Sequence, residues 1–127
     1  MKDPVKTDRA PAAIGPYSQG IITSGRLLFV AGQTPKDPKT GQMPQDFRAQ
    51  VERCLENVKA IIEAAGAGMG DVVKINAYLA DLGNFTIFNE VYAKYFTQPY
   101  PARTTIGAAL PGGAVQVEID AIASLPH

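Results

Sequence analysis

Apolar residues recur along this chain with two periods, and the changes between them divide it into strands and helices. Leu27 to Ala31 form a short apolar run closed by Gly32, and Gly20-Ile21-Ile22 precedes it across Thr23-Ser24-Gly25, which predicts two strands joined as a hairpin. Gln33 to Gln45 carries three prolines, Gly41 and the polar stretch Lys36-Asp37-Pro38-Lys39, and reads as a loop. Phe47, Val51, Leu55, Val58, Ile62 and Ala65 then recur every three or four positions, with Arg48, Glu52, Glu56, Lys59 and Glu63 largely on the other side. That is an amphipathic helix, with Asp46 as its N-cap and Gly66 supplying the left-handed residue that ends it.

Val73, Ile75, Ala77 and Leu79 alternate with Lys74, Asn76 and Tyr78, a strand period. Asp81 to Asn84 has turn chemistry with Asn84 as an N-cap, and Phe85, Phe88, Val91 or Tyr92, and Tyr95 or Phe96 mark a second amphipathic helix stopped by Pro99 and Pro101. A strand around Arg103 to Gly107, a turn through Pro111-Gly112-Gly113 and a closing strand from Val115 to Ala123 follow. The order strand, strand, helix, strand, helix, strand, strand predicts an α+β domain spanning 1–127, its sheet covered by two helices on one face. The uncovered face would hold Tyr78, Ile122 and part of the last strand, too apolar for water, so a homo-oligomer packing sheet against sheet is expected.

Twelve basic and twelve acidic residues balance, and the basic ones are scattered, so no phosphate-binding stripe announces nucleic acid. The single cysteine, Cys54, permits no intramolecular disulfide and fits a reducing compartment; with no apolar run near membrane length, a cytoplasmic chain with no membrane partner is expected. His127, the only histidine, is the last residue, which argues against a histidine triad, a catalytic zinc or a histidine-pair nuclease. No glycine-rich phosphate loop follows a strand, so neither cofactor nor metal is expected.

Four segments, in this order and spacing, resemble the RidA family, also called the YjgF family: Ile14-Gly15-Pro16-Tyr17-Ser18-Gln19-Gly20, Phe29-Val30-Ala31-Gly32-Gln33-Thr34-Pro35, Asn89-Glu90-Val91-Tyr92, and Pro101-Ala102-Arg103-Thr104-Thr105 followed by Val117-Glu118-Ile119. The resemblance implies a chorismate-mutase-like, ferredoxin-like subunit in a homotrimeric barrel with active sites in the clefts between neighbours. It also implies hydrolytic deamination of 2-imino or enamino acids, such as 2-iminobutanoate and 2-iminopropanoate, to 2-keto acids and ammonia. In that family an arginine like Arg103 holds the substrate carboxylate, an acid like Glu118 handles the water, and a tyrosine like Tyr17 lines the pocket. Where some members have serine before the Gly-Gln pair this chain has Ala31, and where they have cysteine after the arginine it has Thr105. These departures touch specificity more than the basic chemistry.

The residue types suit that reaction. A guanidinium meets a planar carboxylate through two parallel charge-assisted hydrogen bonds, and Arg103 and Thr105, two apart on a strand, share a face. Glu118 can accept a proton from water and pass it to the departing nitrogen. As alternatives, Arg103 is a surface arginine and Glu118 a strand glutamate paired with a lysine. Tyr17 lines a pocket or packs in the core, Asn89 contacts substrate or caps a loop, Gly32 admits a ligand or ends a strand, and Cys54 is a small core residue. Competing functions are an endoribonuclease or translation inhibitor, and a chaperone-like or non-catalytic protein that binds small carboxylates in the same arginine pocket.

Overall fold

The computed structural model describes residues 2–126; Met1 and the histidine at position 127 lie outside the described residues. Along the chain run strands β1 (Lys2–Val5), β2 (Gly20–Thr23) and β3 (Leu27–Gln33), helix α1 (Phe47–Ala64), strand β4 (Val72–Leu79), helix α2 (Phe85–Tyr95), and strands β5 (Ala102–Gly107) and β6 (Val117–Ser124). Four strands form a mixed sheet in the order β3-β6-β4-β5, with β4 and β5 parallel and the other pairs antiparallel. The predicted α+β architecture, two helices packed on one sheet, is what the chain forms.

Helix α1 begins where the Asp46 carboxylate accepts a hydrogen bond from the Ala49 N–H at 3.0 Å, and it ends before Gly66, whose φ of 84° is open to glycine. Its face of Phe47, Val51, Cys54, Leu55, Val58 and Ile62 is buried against the sheet. Each large aliphatic side chain fully buried there contributes roughly 1.5–3 kcal/mol. The sheet answers with Ile75, Ala77 and Leu79 of β4, Val117, Ile119, Ala121 and Ala123 of β6, and Val30 of β3. The opposite face carries Asn76, Tyr78, Glu118, Asp120 and Ile122, together with Phe29 at 69% exposure.

Three details differ from the pattern-based expectation. The strands around residues 20–23 and 27–33 do not form a hairpin ladder: β2 pairs with β1, a strand whose Lys-Asp-Pro-Val sequence has no apolar period, and β3 pairs with β6. The Asn84 side chain makes no capping bond; Asp81 holds the turn instead, accepting from the Gly83 N–H at 2.8 Å. The last strand starts at Val117, because the Gln116 N–H donates to the Oε1 of Gln50, a fully buried side chain of α1, rather than to a strand neighbour.

Candidate active site

The free edge of β5 is where the first and fourth motif segments meet. The Ser18 N–H donates to the Pro101 carbonyl at 3.0 Å and the Ser18 hydroxyl to the Tyr100 carbonyl at 2.5 Å, which fastens the turn through Gly15–Tyr17 beside the start of the strand. Within that turn the Tyr17 N–H donates to the Gly15 carbonyl at 2.8 Å. Its ring is thereby held against Arg103, the second residue of β5.

Arg103 pairs in register with Ile75, so its side chain lies on the helix-covered face and reaches α2. The guanidinium carbon sits 4.8 Å from the Tyr92 ring centroid, 5.5 Å from Tyr17, 5.5 Å from Phe88 and 5.8 Å from Phe85. Ring faces attract a cation, but they replace water poorly, and burial pulls the guanidinium below its usual proton affinity while Tyr92 and Tyr17 act the other way. Its Nη1 is buried without a hydrogen-bond partner.

Among the described residues four more buried side-chain polar atoms lack partners: the Thr105 hydroxyl on β5, the Tyr92 hydroxyl and the Asn89 Oδ1 on α2, and, away from these on α1, the Arg53 Nε. Thr105 is two residues along β5 from Arg103 on the same side of the strand, and Asn89 shares a helix face with Phe85 and Tyr92. Burial drives the Tyr92 phenol well above its ordinary pKa, so it stays a neutral donor. Buried polar groups are almost always paired, and a cluster of orphans points to a ligand. The set presents a cationic donor, a carbonyl acceptor and two hydroxyls, which suits an anion with an N–H or hydroxyl beside it.

Glu118 lies elsewhere. It pairs in register with Tyr78, on the face of the sheet that no helix covers, whereas Arg103 and Thr105 pair with Ile75 and Ala77 on the covered face. Within one chain the structure therefore does not bring Glu118 to Arg103. What it does bring to Glu118 is the β3 bulge: a Cβ added at Gly32 would overlap the Glu118 carboxylate, and Ala31 is exposed beside it. Neither sequence reading of Gly32 anticipated this close packing. Next along the same face, Asp120 accepts from the Asn76 amide at 2.9 Å and from the Tyr78 hydroxyl at 3.0 Å.

Cys54 is the small core residue expected. Burial pushes its thiol up to about 12, and its Sγ–H donates to the Gln33 carbonyl at 2.8 Å. The sequence pattern missed Phe85, Phe88 and Tyr92 as walls of the Arg103 pocket, because a helical period marks an inward face without saying what it meets. Among the described residues no group of three or more His, Cys, Asp or Glu side chains is placed to hold a metal ion, and no helix is long and apolar enough to cross a membrane.

A family model described as endoribonuclease L-PSP matches residues 7–125. A RutC family protein of Pyrococcus horikoshii is 48% identical over 124 residues, 97% of this chain and 98% of that one. A protein of Escherichia coli K12 named 2-iminobutanoate/2-iminopropanoate deaminase is 44% identical over 126 residues, 97% of this chain and 98% of its own. Among solved structures, Escherichia coli TdcF with bound serine superposes with a TM-score of 0.75 at 42% identity, covering 98% of this chain and 100% of that one. Since the match runs through the turn that carries Tyr17, both sides of the sheet and the strand that carries Arg103, the chain belongs to the endoribonuclease L-PSP family, the YjgF or RidA family.

Proposed function

We propose that this chain hydrolyses 2-imino acids such as 2-iminobutanoate and 2-iminopropanoate to 2-keto acids and ammonia, without a cofactor, in clefts between the copies of a homotrimer. The observation that carries this reading is the Arg103 guanidinium, walled by four aromatic rings with one nitrogen unpaired. A carboxylate entering the guanidinium plane restores the hydrogen bonds that burial removed, and it is bound through two parallel contacts. The imino nitrogen next to that carboxylate donates to Asn89 Oδ1, and the hydroxyls of Tyr92 and Thr105 satisfy the remaining oxygens. Tyr17 closes the outer side.

The reaction then needs a water and a proton carrier. Water adds to C2 of the protonated imine while Glu118 takes one of its protons, giving a carbinolamine; the same carboxyl returns the proton to nitrogen. The C–N bond breaks with its electron pair on ammonia, the C2 hydroxyl passes its proton through the Glu118 carboxylate to that ammonia, and the keto acid and ammonium remain. General acid and base help of this kind contributes roughly 10²–10⁴ in rate. Because Glu118 and Arg103 of one chain face opposite sides of the sheet, the pair reaches a single substrate only when the acid comes from a neighbouring copy. The uncovered face, with Phe29 at 69% and Ile106 at 47% exposure, is apolar enough to be buried by such neighbours.

The test is a coupled assay in which a dehydratase generates 2-iminobutanoate and keto acid release, or capture by semicarbazide, is followed with and without this protein. Acceleration by the wild type is expected, and Arg103→Ala abolishes it while leaving the oligomer intact by size-exclusion chromatography. No acceleration by the wild type would refute the proposal. Cleavage of RNA by a protein inactive on imines would establish instead the nuclease reading that the family description carries.

A further inference from the structure

Residues 8 to 14 cross the outside of the molecule next to the Arg103 pocket as a strap in which every residue is exposed, Ile14 at 93%. Burial of apolar surface therefore does not hold it. Beneath it, a cavity of about 510 Å³ lies between the strap, Tyr17, and the turn at Pro99 and Tyr100, so the strap does not rest on a packed layer either. One side chain, Gln19, makes most of the hydrogen bonds that tie it down. The Gln19 amide accepts from the Thr7 N–H at 2.7 Å and donates to the carbonyls of Pro11 at 2.7 Å, Thr7 at 3.1 Å and Ala10 at 3.4 Å. Two amide hydrogens serve three carbonyls, with Ala10 the weakest partner.

The strap leads straight into the turn that covers Arg103. A Cβ at Gly15 would stand 4.0 Å from the Arg103 guanidinium and 3.6 Å from the Tyr17 ring, and the Ile14 N–H reaches the Tyr17 hydroxyl at 3.4 Å. Gln19 sits two residues past Tyr17, so its amide closes a ring of chain from Thr7 to Gln19 with this cover inside it. Ser18, bonded to Tyr100 and Pro101, fixes only the far end of that ring.

We infer that Gln19 is a positioning residue, a latch that holds the strap so that Gly15 and Tyr17 stay closed over the Arg103 guanidinium. It touches neither Arg103 nor the ligand; it acts through Tyr17. The consequence for catalysis rests on the proposed imine hydrolysis, whereas the latch itself does not. Loss of the latch opens the pocket and weakens anion binding, and leaves the chemical step of bound substrate nearly as fast.

The experiment compares the full-length wild type with Gln19→Ala and Gln19→Glu. The glutamate keeps the reach and the bond from Thr7 but cannot donate to the three carbonyls. Phenylglyoxal labelling, mapped by mass spectrometry, reads the exposure of Arg103 against Arg26 and Arg48, which lie outside the strap, as internal controls. Hydrogen exchange of the backbone reads the strap against the four-stranded sheet. From the loss of at least two neutral hydrogen bonds, both variants are expected to label Arg103 roughly tenfold faster and to exchange faster only across residues 7–17. The Kd for 2-oxobutanoate and the KM for 2-iminobutanoate rise by about the same factor, with kcat within about twofold of wild type. An Arg103 labelling rate unchanged in either variant overturns the latch, as does faster exchange spread over β3-β6-β4-β5, which would make Gln19 merely structural. If the wild type proves inactive on imines, the proposed function falls, and the labelling and exchange results still decide the latch.

Discussion

Gly32 shows how much one missing carbon decides. Its backbone lies so close to Glu118 that any β-carbon would displace the carboxylate. Because Gly32 sits in the bulge where β3 slips register against β6, and its φ is not in the left-handed region, an alanine there meets a neighbour rather than backbone strain. Gly32→Ala is therefore expected to leave the sheet folded and to lower kcat for 2-iminobutanoate roughly 10²-fold, the order lost with a general acid or base. Near-wild-type turnover by a folded Gly32→Ala protein would remove Glu118 from the chemistry. The glycine stood out in the sequence as the end of an apolar run, but the reason for it belongs to a residue 86 positions away and could not be read locally.

At the scale of elements, α1 was legible nearly to its ends because its signals are local: a carboxylate cap, a period of three to four, and a glycine stop. The same helix carries Cys54 against β3 and sets a limit on stability at high pH. The thiol's ordinary pKa of 9.0 applies to the unfolded chain, and burial raises it to about 12 in the fold. Between those values the unfolded state has released the proton and the folded state still holds it, so stability falls as pH rises. Below about 9 the contribution is fully present. The slope from one such group is roughly 1.4 kcal/mol per pH unit, and Tyr92, also raised by burial, steepens the upper part of the curve. Urea unfolding of wild type and Cys54→Ala between pH 8 and 11 should show a shallower alkaline decline in the variant. Equal slopes would mean that the thiol ionises freely in the fold. The hairpin expected from residues 20–33 failed for a related reason: short apolar strands state that they pair, and the partner is chosen at long range.

For the whole molecule, the opposite orientation of Arg103 and Glu118 yields a sharp expectation. Arg103→Ala and Glu118→Gln are each expected to be inactive alone, yet coexpression should restore activity. If each site of a trimer takes its arginine from one copy and its acid from the next, random mixing makes about a quarter of the sites complete. If both residues served one site from the same chain, no mixed site would be complete and activity would stay at zero. The readout is imine turnover of the coexpressed, purified oligomer.

The order of strands and helices from β2 onward, the buried face of each helix and the alternation that sets Arg103 with Thr105 follow from the sequence by itself, since each depends on periods of two or three to four residues and on local turn chemistry, whereas β1, with no apolar period, does not. Which strands pair, which side of the sheet each polar residue occupies, and which rings surround the guanidinium were settled only in three dimensions. Registers are fixed by partners far along the chain, and shifting one by a single residue exchanges the faces of a whole strand.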